Sequence, residues 1–396
     1  MMMNLAPRSV SRPRPFRAVL CGVVCCLTAC AADAQDKDRV QRAAGGNLVK
    51  NWLRRQDKDG DQKIAKAEAT GLMKANFARN DKDDNGFLDQ QELLDLAKRL
   101  ARVGDRTNTP NRRRGITDAQ LLARVPEGVV VEPNIAYRPG DSKSWRLDLA
   151  RPKERGDQPR PAVVFIHGGG WRNGDKRTGY FLQGSLDYAS QGYVCITINY
   201  RLVDEAPFPA CLEDCKCAVR WLRAHAEKYN IDPDRIGGYG NSAGAHLVSL
   251  LGLVEKSAGL EGDGPHRDQS SLLQAVCCSA PPTDFTLWPL LSRFGRQGGL
   301  LAGPEETLEK RAERASPVSY ARADAPPFLV VHGTTDSTVP IAHGDQFVKA
   351  LRDAGAKDVT YLRIDRAGHG VFNQHAKKTH AAMKSFFART IGEQAK

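Results

Sequence analysis

The chain has 396 residues, of which 41% are hydrophobic and 26% charged, a globular composition long enough for one large or two ordinary domains. Collagen-like and disordered acidic classes are excluded. The formal net charge is +12, but apart from Arg112-Arg113-Arg114 the basic residues are spread along the chain and no nucleic-acid motif accompanies them, so no nucleic-acid partner is expected.

Arg8, Arg12, Arg14 and Arg17 precede an uncharged apolar stretch, Ala18 to Ala32. It is shorter than the roughly 20 residues a membrane helix needs, so residues 1–34 read as the export signal of a bacterial protein. Two exits are open. Ala32-Asp33-Ala34 allows cleavage before Gln35, giving a periplasmic or secreted product. Leu27-Thr28-Ala29-Cys30 resembles a lipobox, which would place a lipid anchor on Cys30. Cys21, Cys25, Cys26 and Cys30 belong to this segment. Cys195, Cys211, Cys215, Cys217, Cys277 and Cys278 lie in apolar runs or on an expected helix and read as small buried hydrophobes; their spacing does not suit zinc.

Residues 40–102 carry two twelve-residue stretches with the EF-hand ligand pattern, so a small all-α calcium module is expected. The first offers Asp57, Asp59, Asp61, the carbonyl of Lys63, and Glu68. Ile64 is its apolar plug, but Gln62 stands where glycine is wanted for the sharp turn. The second offers Asp81, Asp83, Asn85, the carbonyl of Phe87, and Glu92, with Gly86 and Leu88 in place. A single helix, around Lys66 to Asn80, must leave the first loop and enter the second. Ca2+ is expected to be structural rather than a signal.

Residues 103–124 read as an exposed linker, polar and bearing Pro and Gly. From 125 to 392 strands alternate with helices, the mark of a mostly parallel doubly wound sheet. Strands are expected at Val129–Tyr137, Trp145–Ala150, Pro161–His167, Tyr193–Tyr200, Arg235–Tyr239, Leu272–Ser279, Phe328–Val331 and Val359–Ile364. Helices are expected at Cys211–Tyr229, Ser242–Val254 and Val371–Ile391, a turn at Ile231–Asp234, and an active-site roof from Pro281 to Ser316 with Trp288, Leu291 and Phe294.

Chemistry-bearing motifs fall at the ends of these strands. Gly240-Asn241-Ser242-Ala243-Gly244 is a nucleophile elbow, which lifts a serine off a strand on a sharp turn. His167-Gly168-Gly169-Gly170 lets backbone N–H groups of Gly169 and Gly170 converge with that of Ala243 as an oxyanion hole. Asp336, in His332-Gly333-Thr334-Thr335-Asp336, can orient an imidazole; Asp345, Asp365 and Asp324 are weaker candidates. Gly368-His369-Gly370 puts His369 on a loop that can reach Ser242. The order Ser242, Asp336, His369 suits a nucleophile, an orienting acid and a base. His167 is read as shaping the oxyanion loop, His246 as a supporting core residue, His332 as structural in its turn, and His375 and His380 as solvated.

Through HGGGW, DPDRIGGYGNSAG, HGTTDSTVP and GHG, residues 125–392 resemble α/β-hydrolases of the esterase and lipase type, in particular bacterial feruloyl-esterase-like and hormone-sensitive-lipase-like carboxylesterases. The resemblance implies hydrolysis of carboxylic esters, including acetyl or feruloyl esters of polysaccharides, with no cofactor for catalysis. Ala245, where these enzymes often carry a further elbow glycine, and Gly238, in place of an apolar strand residue, depart from the pattern. A serine peptidase of the same fold, and a calcium-binding scaffold with an inert hydrolase domain, are the alternatives. Acyl specificity and oligomeric state have no readable signal.

Overall fold

Short runs of consecutive apolar residues build the centre of the molecule. Ala162, Val164 and Ile166 point into one buried cluster and Val163 and Phe165 into another, as period-two alternation requires of a strand covered on both faces. The computed structural model describes residues 49, 52–54, 56–69, 73, 77–105, 115–288 and 291–392. The expected export segment, Cys30 included, lies outside them, as does the middle of the expected linker. The chain divides into two compact units, Met1–Arg106 and Thr107–Lys396.

In the first unit, β1 (Ile64–Ala65), α1 (Phe77–Asn80), β2 (Phe87–Leu88) and α2 (Gln90–Asp105) follow in order. β1 and β2 pair antiparallel, Ile64 opposite Leu88 and Ala65 opposite Phe87. Ile64, Met73, Phe77, Leu88 and Leu93 form a core of their own.

In the second unit, α3 (Asp118–Leu122) precedes β3 (Val129–Ala136), β4 (Arg146–Pro152), β5 (Arg160–Ile166), α4 (Gly179–Ser190), β6 (Val194–Ile198), α5 (Ala210–Ala224), α6 (Ala226–Tyr229) and β7 (Ile231–Asn241). Then come α7 (Ala243–Leu253), β8 (Ala275–Ser279), α8 (Ser292–Gly295), α9 (Leu308–Ala315), β9 (Phe328–Gly333), α10 (Ala342–Asp353), β10 (Val359–Ile364), α11 (Val371–Gln374) and α12 (Ala376–Thr390). The eight strands of the sheet run β10-β9-β8-β7-β5-β6-β4-β3. β10 through β6 are parallel to their neighbours, and β4 and β3 add antiparallel. This is the doubly wound, mostly parallel α/β-hydrolase sheet.

Several boundaries differ from the sequence reading. Ile231–Asp234 is the start of β7 rather than a turn; the register against β5 shifts between the Arg160 and Ala162 pairings, and that irregularity takes up Asp232 to Arg235. The helix expected over Cys211–Tyr229 breaks at His225, and that over Val371–Ile391 at His375. The expected linker is partly helical: α2 reaches Asp105, and Thr117 and Gln120 close a reciprocal capping box on α3. Gly238 is a packing residue, because a Cβ there would lie 2.6 Å from Val248 Cγ2 of α7 and 2.5 Å from Leu273 Cδ1.

Candidate active site and two acidic loops

β7 ends at Asn241 and α7 begins at Ala243, so Ser242 alone makes the turn, at φ 54° and ψ −121°. That conformation is strained for a residue with a Cβ. Close approach on both sides holds it. A Cβ on Gly240 would sit 2.2 Å from Gly244 O, and one on Gly244 would sit 2.0 Å from Ile166 O. The Ser242 N–H donates to Ser279 O on β8 at 2.9 Å, which ties the elbow to the next strand.

His369 follows β10 on the loop before α11. Its Nε2 lies 3.0 Å from Ser242 Oγ and its Nδ1 lies 2.8 Å from Asp336 Oδ2. The other oxygen of Asp336, Oδ1, accepts the backbone N–H groups of Thr338 and Val339 at 2.8 and 2.9 Å. Burial pushes the Asp336 carboxyl up, but hydrogen bonds from His332, His369 and the Val339 N–H outweigh it and hold it well below the usual carboxylate range. The other aspartates stand elsewhere. Asp345 pairs with Tyr361 and Arg363, Asp365 with Thr334 and Arg366, and Asp324 with Arg322.

The loop after β5 runs against the elbow: a Cβ on Gly168 would meet Asn241 O at 2.7 Å and Ser242 Cβ at 3.3 Å. Gly169 and Gly170 have φ of 114° and 61°. Arg172 and Asn173 donate to Gly169 O, and among the described residues no backbone carbonyl takes the N–H of Gly169 or Gly170. Ala243 N–H is the first of α7 and has no intrahelical acceptor. These are the three N–H groups that the sequence reading nominates as an oxyanion hole, and none has a backbone acceptor among the described residues. His167 stacks on Tyr200 with ring centres 4.4 Å apart, and its carbonyl accepts the Tyr200 hydroxyl at 2.9 Å, so it does shape this loop.

Two supports escaped the sequence reading. His332 is more than a turn residue: its Nε2 lies 2.9 Å from Val339 O and 3.5 Å from Asp336 Oδ2, so a second imidazole faces the acid. The other is Asp148, buried on β4. It receives two bonds from Arg177, at 2.6 and 2.9 Å, and one from Lys176 at 2.8 Å. Burial raises its carboxyl, but the two cations prevail and its pKa is lowered. With Asn199 accepting Lys176 N–H at 2.8 Å, this fixes the chain leaving the glycine run. The signal was an acid inside the apolar strand Leu147-Asp148-Leu149-Ala150. His375 is exposed as expected, but His380 is half-buried; its ring packs 4.1 Å from that of Tyr180 and 4.8 Å from Phe372. Trp288 and Phe294 of the expected roof pack inward, on His343 and Trp171, rather than over open space.

In the first unit the acidic side chains gather in two groups. Asp57, Asp59 and Asp61 bring one oxygen each within 4.8 Å of one another, and so do Asp81, Asp83 and Glu92. Glu92 accepts the N–H groups of Lys82 and Asp89, and Glu68 accepts those of Lys58 and Ala65 in the same relation. Asn85 Oδ1 accepts the Phe87 N–H and Asp61 Oδ1 the Lys63 N–H. The loops turn alike. Gln62 takes φ 63° where Gly86 takes 84°, and Gly60 takes 79° where Asp84 takes 54°. The glycine has moved two positions along the first loop, so the turn survives with its strain on Gln62.

The BD-FAE family model matches residues 147–351. Esterase LipC of Mycobacterium tuberculosis is 32% identical over 240 residues, 58% of this chain and 58% of LipC, so the chain spans little over half of that relative. A truncated carbohydrate esterase from gut microbiota aligns with TM-score 0.58 at 26% identity, covering 67% of this chain and 97% of its own. The butyrate-bound Est2 esterase of the Planctomycetes species Thermogutta terrifontis aligns with TM-score 0.55 at 27% identity, covering 68% and 97%.

Proposed function

We propose that this chain, which belongs to the BD-FAE family, is a serine esterase that hydrolyses carboxylic esters through an acyl-enzyme on Ser242. The observation that carries the reading is one imidazole held between hydroxyl and carboxylate, 3.0 Å from Ser242 Oγ and 2.8 Å from Asp336 Oδ2. Asp336 fixes the tautomer with the proton on Nδ1, leaving Nε2 to take the serine proton. Ser242 Oγ attacks the ester carbonyl carbon, and the carbonyl electrons move onto oxygen. The N–H groups of Gly169, Gly170 and Ala243 stabilise that oxyanion; losing one such donor typically costs about 3 kcal/mol in the transition state. His369 then protonates the departing alkoxide. Water, deprotonated by the same nitrogen, repeats the sequence and releases the acid. The steps as written call on no cofactor.

The substrate class is acetyl or feruloyl esters on polysaccharides; the likeness to a carbohydrate esterase supports it. The acidic loops are a calcium-binding EF-hand pair of structural role. Their donors are all oxygen, which suits a hard cation. Asp81, Asp83, Asn85, Glu92 and the Phe87 carbonyl would hold one ion, and Asp57, Asp59, Asp61, Glu68 and the Lys63 carbonyl the other. Residues 1–34 direct export, by cleavage or by lipidation of Cys30.

The test is a panel of short p-nitrophenyl esters beside acetylated xylan and methyl ferulate, on the wild type and Ser242→Ala. Hydrolysis by the wild type alone is expected. Equal rates from both proteins would sink the reading.

A further inference from the structure

Among the fully buried imidazoles that the acyl transfer does not use, one lies against the oxyanion loop. His246 sits one turn into α7 and is 0% exposed. Its Nδ1 accepts the indole N–H of Trp171 at 3.2 Å, and its Nε2 donates to Ala315 O at 2.7 Å. An indole nitrogen only donates and a carbonyl only accepts, so both contacts demand the neutral ring with its proton on Nε2. Burial keeps it neutral, lowering its pKa to about 4.

Its partners come from separate parts of the site. Trp171 directly follows the glycine run, and Ala315 closes α9, in the segment between β8 and β9. Trp171 is itself left-handed, at φ 58°, which a bulky residue does not hold unaided. Its carbonyl accepts the Val203 N–H at 2.9 Å, and its side chain adds a second hold: the ring packs edge-on to His246 at 5.3 Å and lies 5.6 Å from Phe285 and 6.2 Å from Phe294. Gly168, Gly169 and Gly170 have no side chains to hold. Side chains fix the run from its ends, at His167 through Tyr200 and at Trp171 through His246, beside the backbone bonds to Gly169 O and Trp171 O.

We infer that His246 is a positioning residue for the oxyanion hole: by clamping the Trp171 indole between α7 and the Ala315 carbonyl, it sets where the Gly169 and Gly170 N–H groups point relative to Ala243 N–H. It touches no reacting atom. This rests on the ester-hydrolase reading. Misplacing donors by about 1 Å costs up to about 100-fold in rate, and the loss falls on the transition state rather than on substrate binding.

His246→Leu is expected to lower kcat for p-nitrophenyl acetate by about 30-fold while KM moves less than about threefold. The inhibition constant of phenylboronic acid, whose serine adduct places an oxygen in the hole, should rise with the fall in kcat. His246→Gln keeps an acceptor and a donor and should recover at least about tenfold of the loss. Trp171→Phe removes the indole N–H from the other side, and with His246→Leu it should lose no more than the worse single variant. Losses that multiply, a change confined to KM, or a His246→Leu kcat within about threefold of wild type would each overturn the inference. The clamp is also read without turnover. The Trp171 indole proton should exchange slowly in NMR spectra of the wild type and at least about tenfold faster in His246→Leu; equal exchange would overturn the clamp. A wild type inactive on every ester but with a protected indole would refute the esterase reading alone.

Discussion

The elbow and the oxyanion loop both hold a residue with a Cβ in left-handed backbone, Ser242 at φ 54° and Trp171 at φ 58°. They do it by opposite means. At the elbow there is no room for an alternative, because backbone from β5, β7 and α7 crowds in to about 2 Å of where glycine side chains would begin. At the oxyanion loop backbone crowds Gly168 and Gly169, but a Cβ on Gly170, next to Trp171, would meet nothing within 4 Å, and buried polar side chains supply the hold there: Tyr200 at one end, His246 and the Asp148–Lys176–Arg177 cluster at the other. Steric enforcement fails all at once, whereas enforcement by side chains can be loosened by degrees.

Substitutions can separate the two modes. The largest effect is chemical and is the baseline for the rest: Ser242→Ala should lose about 10⁴-fold or more in kcat with unchanged stability by urea unfolding. Gly244→Ala places a methyl 2.0 Å from Ile166 O, so the elbow or its strand must move. It should cost about 3 kcal/mol in urea unfolding and abolish turnover together. A fully active Gly244→Ala would show that the elbow is not sterically enforced. Asp148→Asn removes the counter-charge of two buried cations, which typically costs about 3 kcal/mol. It should lower kcat about tenfold and leave some activity, the graded response expected of the loop.

Lowering the pH acts through the buried imidazoles, His246 of the loop clamp and His343 against Trp288. Burial depresses the pKa of His246 from 6.5 to about 4 and that of His343 from 6.5 to about 3. In the unfolded chain these imidazoles take up protons near pH 6.5, while the folded ones do not. Stability is therefore full above about pH 6.5 and declines as the pH falls toward 4. Urea midpoints at pH 7.5 and 4.5 should show it, and His246→Gln should flatten the slope. The smallest effect on activity is expected in the first unit. Glu92→Gln should abolish most of the calcium-dependent rise in its melting temperature and change kcat by less than about twofold. If chelation abolished turnover without unfolding anything, a structural role for calcium would be wrong.

This contrast also explains what the sequence makes visible. Steric enforcement leaves a local trace, since glycine must stand wherever backbone approaches backbone. Gly240, Gly244 and the run Gly168–Gly170 were therefore readable, and with them the strands they terminate. Asp336 and His369 were readable because each follows a strand and a turn. Enforcement by side chains leaves no local trace. His246 meets Trp171 across 75 residues, and Arg177 meets Asp148 across 29. Nothing near either residue says whom it will meet. His332 is a different case: Asp336 stands only four residues on, and that short spacing reads in sequence as a turn. The helices α4 and α10 were missed because Gly179 and Gly184 weaken the helical pattern of one and Gly344 that of the other. In the first acidic loop the glycine was displaced rather than lost, and a fixed pattern counts that as a defect.

The six cysteines of the second unit are free and buried. Cys277 and Cys278 stand side by side at the middle of the sheet, one in the cluster on each face, so their side chains diverge and cannot join. Burial raises both thiols, Cys278 to about 12, leaving almost no thiolate. In an oxidising compartment such a pair stays silent while the sheet is closed. Each opening of the sheet exposes fresh thiol to whatever reagent surrounds it, so the rate of labelling counts the moments at which the centre of the molecule comes apart.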